Sequence, residues 1–334
     1  MVSECNRIIK TPVVLFTFKR SDTVLRIIDV LRLSKPQKIY IFSDGPRRDD
    51  EVEQIKNARK VIVEAIDWEC EIIKVFHEKN VGVFGQIALG AKYVFEKEKR
   101  AIFIEDDNLP SPTFLSYCEE MLDKYEHEEK IVWVCGTNYE SESAYLDTDY
   151  VFTKNMLPCG WASWSEKFLK YYQFDFSLLN SRKNIRRIRK NYEMKSLYRQ
   201  QMRNYKAEHY REVHNMRYAS WDFHMAMSIR YFDLYGIAPR LNQIRNIGVD
   251  IYSSHGGTSM SHPNTDKFCE IPVGELSFPL KGPDKIAINK QFEKNTNKII
   301  LVPKLIRFLA PFTTLVKKIL RIYPDKSLYS LFRK

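Results

Sequence analysis

The stretch Ala-Ile-Phe-Ile-Glu-Asp-Asp-Asn, residues 101–108, places three consecutive acids directly after four apolar residues. A short run of large apolar residues between turn signals predicts a buried β-strand. Such a strand would bring the carboxyl groups of Glu105, Asp106 and Asp107 together at its carboxyl end. Adjacent carboxylates repel one another and are costly to desolvate together. The pattern therefore predicts a divalent cation here, and the alternative is a solvated acidic turn that caps the next helix.

The predicted cation is Mn²⁺ or Mg²⁺, because both prefer hard oxygen ligands. Sites for Mg²⁺ typically use one or two carboxylates and leave the other positions to water and substrate phosphates. The sequence contains neither G-x-x-x-x-G-K-[ST] nor a G-x-G-x-x-G after its first predicted strand, so the usual glycine-rich phosphate loops are missing. We therefore expect a metal to bind a nucleotide diphosphate in their place.

Predicted strands and helices alternate through the first half of the chain. The strands are Pro12–Phe18, Lys38–Phe42, Cys70–Phe76, Ala101–Ile104 and Ile131–Cys135, and the helices are Thr23–Leu33, Asp50–Ala65, Val83–Lys97 and Thr113–Tyr125. This alternation predicts an α/β fold with an open, mostly parallel sheet flanked by helices. Such sheets bind ligands beyond the carboxyl ends of their strands, so the residues that follow each strand are candidates for a site.

The second half has a different character. Leu157–Trp164 is rich in Gly and Trp, Lys183–His214 predicts a long polar helix, and Trp221–Tyr235 predicts a helix with an apolar stripe. Residues 246–263 are rich in Gly, Ser and His and indicate a loop.

The formal net charge of +11 is concentrated in two segments. Arg182–Arg217 has twelve Lys or Arg against three Glu, and Lys298–Lys334 has nine against one Asp. Such blocks suggest an anionic partner, and the alternative is a set of solvated helix faces. We expect no nucleic acid as a partner.

The tail Lys298–Tyr323 mixes large apolar residues with Lys and Arg and is broken by Pro303 and Pro311. This composition predicts a basic amphipathic helix on an anionic membrane surface, and the alternative is a helix packed on the main domain. The chain lacks a signal-peptide pattern, a run of about 18 apolar residues and any C-x-x-C pair among its six Cys. We therefore expect a cytoplasmic protein, peripheral on the inner face of the cell membrane.

Six short motifs, taken in order, resemble those of the GT-A-fold glycosyltransferases. The resemblance is to bacterial family-2-like sugar transferases and, more distantly, to the Golgi N-acetylglucosaminyltransferase I group, and it covers roughly residues 10 to 255. The motifs are PVVLFTFKR (residues 12–20), Ser43-Asp44-Gly45, Asn80-Val81-Gly82, EDDNLPSP (105–112), GWASW (160–164) and Trp221-Asp222.

The resemblance implies a role for each of several residues. Asp107 would contact the metal, and Asp106 would lie beside the ribose. Arg20 would lie near the nucleotide phosphates or base, and Asp44 would contact a uracil-type base. Asp222 occupies the position of the catalytic base in inverting members.

Two further candidates are His255 and Trp161. His255 resembles a later residue that contacts the metal or the phosphates, and Trp161 is a candidate nucleotide-sugar-binding residue that would stack on a sugar ring. Each candidate has an ordinary structural alternative. His255 could be a loop histidine and Trp161 a core residue, just as Asp222 could be an acid of a first helical turn.

The expected architecture is a GT-A-type domain over residues 1–280, with a nucleotide-binding half (1–140) and an acceptor-binding half (141–280). Residues 281–334 would form the basic amphipathic tail. The expected activity is inverting transfer from a UDP-sugar or similar donor to a glycan or glycolipid, in bacterial capsule, lipopolysaccharide or other surface polysaccharide synthesis. A sugar-nucleotide nucleotidyltransferase and a non-enzymatic basic binder of membranes or nucleic acid are the alternatives.

Overall fold

The computed structural model describes residues 9–249 and 265–320. Within these ranges, ten strands form a large sheet and a small two-stranded ribbon. The strands are β1 (Val13–Thr17), β2 (Lys38–Ser43), β3 (Glu71–Phe76), β4 (Arg100–Glu105), β5 (Asn108–Pro110), β6 (Ile131–Cys135), β7 (Tyr150–Thr153), β8 (Trp161–Trp164), β9 (Tyr235–Pro239) and β10 (Ile244–Asn246).

Eleven α-helices lie in the described ranges. They are α1 (Ser21–Ser34), α2 (Val52–Glu64), α3 (Gly90–Phe95), α4 (Phe114–Lys124), α5 (Ser165–Tyr171), α6 (Arg182–Lys190), α7 (Lys195–Val213), α8 (Asp222–Phe232), α9 (Thr265–Phe268), α10 (Lys290–Ile300) and α11 (Lys304–Ile319). Short 3₁₀ turns at Asp49–Glu51 and Ser177–Asn180 and a π-helical segment at Phe84–Leu89 complete the described elements.

The large sheet has the strand order β3-β2-β1-β4-β8-β6-β9-β7. The first four strands are parallel, β8 is antiparallel to both of its neighbours, β9 is parallel to β6, and β7 is antiparallel to β9. The predicted α/β fold with a mostly parallel sheet is therefore confirmed. The Gly- and Trp-rich stretch contributes a strand to the middle of that sheet.

Both faces of the sheet are covered by helices, because its central strands are apolar on both sides. In β1, Val13 and Leu15 pack with α1, α2 and α4, whereas Val14 and Phe16 pack on the opposite face with α3 and the π-helical segment. Successive side chains of a strand point to opposite faces, so a continuous apolar run is what a strand between two helical layers requires.

Two predicted helices are interrupted. The expected helix Val83–Lys97 begins with the π-helical segment and continues as α3. The expected polar helix Lys183–His214 is divided into α6 and α7. These two helices bury Ile188 and Tyr205 in an apolar cluster that also contains Met227 of α8. Because most residues of this segment are charged or polar, the sequence pattern did not reveal the few apolar residues that pack against α8.

The packed unit extends beyond residue 280, where composition suggested that a tail begins. Phe292 of α10 is fully buried against the sheet layer. Glu293 accepts a hydrogen bond from Thr153 Oγ1 (2.6 Å) and forms an ion pair of 3.0 Å with Arg230 of α8. Helix α10 is therefore part of the fold. Among the described helices, none combines the length and apolarity needed to cross a bilayer.

Candidate active site

The carboxyl ends of β1, β2 and β4 meet at one edge of the sheet, where a cavity of about 480 Å³ opens. We call it the β1–β2 cavity. Its lining residues are Phe16, Thr17, Phe18, Lys19, Arg20, Asp44, Arg47, Asn80, Gly82, Val83, Gln86, Ile87, Glu105 and Asp106.

The acid motif and Arg20 meet at this edge. The Arg20 Nη1 atom lies 3.4 Å from a carboxylate oxygen of Asp106 and 3.4 Å from one of Asp107. The Phe18 N–H donates to the other Asp106 oxygen at 3.2 Å. Arg20 is only 9% exposed, so its charge acts on these carboxylates with little solvent screening. Arg20, which follows β1, is thus brought together with Asp106 and Asp107, which follow β4.

Burial shapes the protonation of all three acids. It raises the pKa of Asp106 to about 7, with Asp107 adding to the effect and Arg20 opposing it. Burial, followed by the charges of Asp107, Asp106 and Asp222, holds the pKa of Glu105 well above its ordinary value. Burial also raises the pKa of Asp107, again against the effect of Arg20. One guanidinium does not fully offset this concentration of carboxylates.

The two-stranded ribbon positions the last acid. Strand β10 pairs with β5, which directly follows the motif, and the Ile247 N–H donates to the Asp107 carbonyl at 2.8 Å. The Asn246 side chain hydrogen-bonds the Asp107 carboxylate. A Cβ atom at Gly248 would overlap that carboxylate, so only glycine allows this close approach.

Asp44 lines the cavity and is held by the protein's own hydrogen-bond donors. Its carboxylate accepts hydrogen bonds from the N–H groups of Gly45 (2.7 Å), Val81 (2.8 Å) and Gly82 (3.2 Å) and from Asn80 Nδ2 (2.8 Å). A carboxylate offers about four acceptor positions, so the protein's own donors occupy them. Asp44 therefore fixes the loop at residues 80–82 while lining the cavity, and its contact with a base stays a prediction.

Further cations border the β1–β2 cavity. The Arg47 guanidinium lies 4.8 Å from the centre of the Phe18 ring, and Lys19 Nζ lies 5.1 Å from it. Lys19 also forms an ion pair of 2.8 Å with Glu51. Sequence reasoning missed Arg47, because it lies beyond the Asp44 turn and comes to the cavity only through the path of that loop.

A second cavity, of about 570 Å³, adjoins the first and shares Val83 and Glu105 with it. We call it the α7–α8 cavity. Its other lining residues are Tyr139, Met156, Pro158, Cys159, Gln200, Gln201, Asn204, Glu208, Ala219, Ser220, Trp221, Asp222, Phe223, Lys267, Phe268, Ile299, Ile300, Leu301 and Val302.

Asp222 begins α8 and lines the α7–α8 cavity. The Ser220 hydroxyl hydrogen-bonds its carboxylate. Its charge contributes to the raised pKa of Glu105, and the Trp221 side chain hydrogen-bonds Glu105. Asp222 and the acid motif, which are more than a hundred residues apart in sequence, therefore lie on adjoining cavities.

Glu208 and Gln200 of α7 also belong to this cavity, and sequence reasoning missed both. Glu208 is buried and accepts a hydrogen bond from the Ala219 N–H at 2.9 Å, which holds the turn before Asp222. Burial raises the pKa of Glu208. No sequence signal distinguishes these two residues from the solvated polar residues of the same helix.

Trp161 is not available to a sugar. It is 1% exposed and lies between the rings of Phe103 (centroids 3.9 Å apart) and Trp133 (4.1 Å). The sugar-binding assignment is therefore wrong, because Trp161 is a core residue beneath the cavities. Trp221 is the tryptophan that lines the α7–α8 cavity. His255 lies outside the described residues.

The chemistry of the acid motif fits a sparse metal site. Among residues 9–249 and 265–320, no group of three His, Cys, Asp or Glu side chains is arranged to hold a metal. However, the carboxyl groups of Asp106 and Asp107 offer hard oxygen ligands. Burial raises the pKa values of both groups. A site that uses one or two carboxylates and substrate phosphates needs no third protein ligand.

A mostly parallel α/β sheet with an acid motif beside a cavity at its carboxyl edge defines the class of nucleotide-diphospho-sugar transferases with a GT-A fold. The family model described as glycosyl transferase family 2 matches residues 13–232, and the chain belongs to this family. It is therefore a glycosyltransferase. This assignment decides against the nucleotidyltransferase and the non-enzymatic binder as alternatives.

Several solved structures are similar to parts of this chain. A mannosyltransferase from Pyrobaculum calidifontis, in complex with GDP-Man and Mn²⁺, is 10% identical, with 68% of this chain and 70% of that chain covered and a TM-score of 0.36. A UDP-glucose pyrophosphorylase complexed with UDP-glucose is 12% identical, with 72% and 94% covered and a TM-score of 0.34. The 4-diphosphocytidyl-2C-methyl-D-erythritol synthase from Anaerococcus prevotii is 12% identical, with 52% and 78% covered and a TM-score of 0.32. No curated protein matches the chain.

Proposed function

We propose that this enzyme transfers a sugar from a nucleotide diphosphate donor, a UDP-sugar, to a glycan or glycolipid acceptor, with inversion at the anomeric carbon. The proposed setting is the synthesis of a bacterial surface polysaccharide such as capsule or lipopolysaccharide. One observation carries the proposal: the β1–β2 cavity and the α7–α8 cavity adjoin at Glu105, with the acid motif beside one and Asp222 in the other.

The β1–β2 cavity is the proposed donor site. Arg20, Lys19 and Arg47 supply positive charge at its lining, as a nucleotide diphosphate requires. Asp106 is the proposed ribose contact. The loop at residues 80–82, held in place by Asp44, forms the side of this cavity from which we expect a base to be bound.

Asp222 is the proposed catalytic base. In an inverting transfer the acceptor hydroxyl attacks the anomeric carbon and loses its proton as the bond forms. A carboxylate within hydrogen-bond reach can accept that proton, which contributes about 10²–10⁴-fold to the rate. Glu105, whose raised pKa favours its neutral form, is unsuited to this task, so Asp222 is the better base.

Asp107, with Asp106 beside it, would hold Mn²⁺ or Mg²⁺. When bound, the cation acts as a Lewis acid that stabilises the charge of a departing diphosphate. The protein's own contribution on this side is Arg20, whose guanidinium contacts both carboxylates and opposes the rise of their pKa values. His255 remains a prediction as a further metal ligand.

The proposed location is the cytoplasmic side of the cell, peripheral on the inner face of the membrane. A glycolipid acceptor would be presented at that face. The basic composition of the C-terminal segment supports this proposal, since anionic lipids attract such segments.

Thermal stabilisation by a panel of nucleotide sugars, with and without Mn²⁺, tests the donor site, because a ligand that binds only the folded state raises apparent stability. We expect a UDP-sugar with Mn²⁺ to raise the melting temperature, and Asp107→Asn to abolish the Mn²⁺-dependent part. Asp222→Asn should keep donor binding and lower transfer by about 10²–10⁴-fold.

The matched control is Asp67→Asn. Asp67 is exposed and precedes β3, at the opposite edge of the sheet, so donor binding and transfer should not change. Full transfer activity in Asp222→Asn would remove Asp222 as the base. A folded protein that binds none of the nucleotide sugars would overturn the proposed function.

A further inference from the structure

The wall of the α7–α8 cavity includes the segment that leads out of α10. Gln200 fixes this segment to α7: its Nε2 donates to the Ile300 carbonyl at 3.0 Å, and its Oε1 accepts from the Val302 N–H at 3.0 Å. Lys267 Nζ lies 3.4 Å from the Leu301 carbonyl. The chain therefore leaves the cavity at a fixed point, two residues before α11 begins at Lys304.

Helix α11 and the residue after it expose a stripe of large apolar side chains. Their exposed fractions range from 40% to 70%. They recur at intervals of three or four residues, and in two places two adjacent residues are both apolar. This spacing puts them along one side of the helix. The stripe consists of Leu305, Phe308, Leu309, Phe312, Val316, Ile319 and Leu320.

The charge of α11 identifies what covers this stripe. The helix sequence carries Lys304, Arg307, Lys317 and Lys318 and no acid. A second protein surface rich in apolar groups would not require four like charges, whereas an anionic bilayer attracts each of them by about 1 kcal/mol near its surface. Within the described residues the helix also lacks the combined length and apolarity needed to span a bilayer, whereas a basic amphipathic helix suits the interface.

We propose that α11 lies in the interface of an anionic membrane and thereby holds the mouth of the α7–α8 cavity at the lipid surface. The partner is the bilayer itself, recognised by the apolar stripe and the basic residues. The link between docking and the site is the segment at residues 299–302, which is cavity wall on one side and leads directly into α11. The peripheral location and the acceptor role of this cavity rest on the proposed function; the further step is that α11 is the docking helix and that it sets the position of the cavity.

Sedimentation of the full chain with vesicles tests the docking. We expect the protein to bind vesicles of phosphatidylcholine mixed with phosphatidylglycerol, to bind phosphatidylcholine alone at least about tenfold more weakly, and to lose binding as salt screens the charges. The triple substitution Leu305→Glu, Phe308→Glu, Phe312→Glu should abolish binding. Leu33→Glu is the control, because Leu33 is 68% exposed on α1.

The melting temperature of the triple variant should match the wild type, since the three side chains are exposed. Vesicle binding that survives the triple substitution would overturn the proposal. So would a chain that is dimeric in solution through α11 and ignores vesicles, because the stripe would then be covered by a second copy. Donor binding, measured in parallel, reports on the proposed function alone and should be the same in all three proteins.

Amide hydrogen exchange tests the position of the cavity. With anionic vesicles, we expect slower exchange both in α11 and in residues 299–302, and no change in α1. Protection that is limited to α11 would show that the helix docks while the cavity mouth remains away from the lipid, and would overturn the second half of the proposal.

Discussion

At the scale of single residues, the carboxyl groups of the site lie in different environments. Asp106 and Glu105 are desolvated next to other acids, so their pKa values rise, whereas the Asp44 carboxylate accepts hydrogen bonds from Gly45 and from the loop at residues 80–82. The same functional group can therefore hold a proton, bind a cation or organise a loop, and the environment decides which.

His224 gives a prediction at this scale. It is buried among the rings of Phe84, Tyr172, Phe176 and Tyr218, and burial lowers its pKa from 6.5 to about 3. Below pH 6.5 the unfolded chain binds a proton that the folded chain excludes. Stability should therefore fall as the pH drops from about 6.5 towards 3, by up to about 1.4 kcal/mol per pH unit from this group.

The effect can be measured by urea unfolding of the wild type and of His224→Phe. The pH is varied from about 7 to about 5, which covers the upper part of this pH range. The difference between the two proteins isolates His224, because Glu105 and Asp106 titrate in both. We expect the variant to lose less stability on acidification. If the free energy of unfolding has the same pH dependence in both proteins, folding does not lower the pKa of His224, and the prediction is contradicted.

At the scale of elements, the β5–β10 ribbon connects the acid motif to the second half of the chain. It pairs Asn108 with Asn246 and brings Gly248 against Asp107. The ribbon thereby joins two segments that are about 140 residues apart in sequence, and the position of the proposed metal ligand depends on both.

Gly248→Ala should therefore impair the site more than the fold. The added Cβ would overlap the Asp107 carboxylate and displace it. We therefore expect the apparent affinity for a UDP-sugar in the presence of Mn²⁺ to fall at least about tenfold, which is about 1.4 kcal/mol of binding free energy. Titration of the donor in a thermal shift assay measures this change.

Gly236→Ala is the matched control, because the nearest atom to its added Cβ is 3.4 Å away, an ordinary contact. Its donor affinity should equal that of the wild type. Unchanged affinity in Gly248→Ala would mean that the position of Asp107 does not govern donor binding.

At the scale of the whole molecule, the C-terminal region has two parts with different functions. Helix α10 belongs to the core, through Phe292 and the buried ion pair between Glu293 and Arg230. Helix α11 presents an apolar face that the described residues leave uncovered.

Two truncations separate these parts. A chain that ends at Val302 should keep the melting temperature and donor binding of the full chain, because it retains α10 and the Gln200 contacts. A chain that ends at Gly282 leaves Arg230 buried without Glu293, which typically costs about 3–5 kcal/mol, so its melting temperature should fall sharply. Differential scanning calorimetry measures both, and equal stability of the two truncations would contradict a structural role for α10.

The sequence by itself determined the α/β class, the strand that carries the acid motif, and the expectation that residues following the strands form the site. These follow from local periodicity and from the rule that parallel strands share a carboxyl edge. Only the tertiary structure decided that Trp161 is core, that Asp44 holds the loop at residues 80–82 and that α10 is part of the fold. Burial and hydrogen-bond saturation depend on which distant segments pack together, and residue type along the chain does not encode them locally.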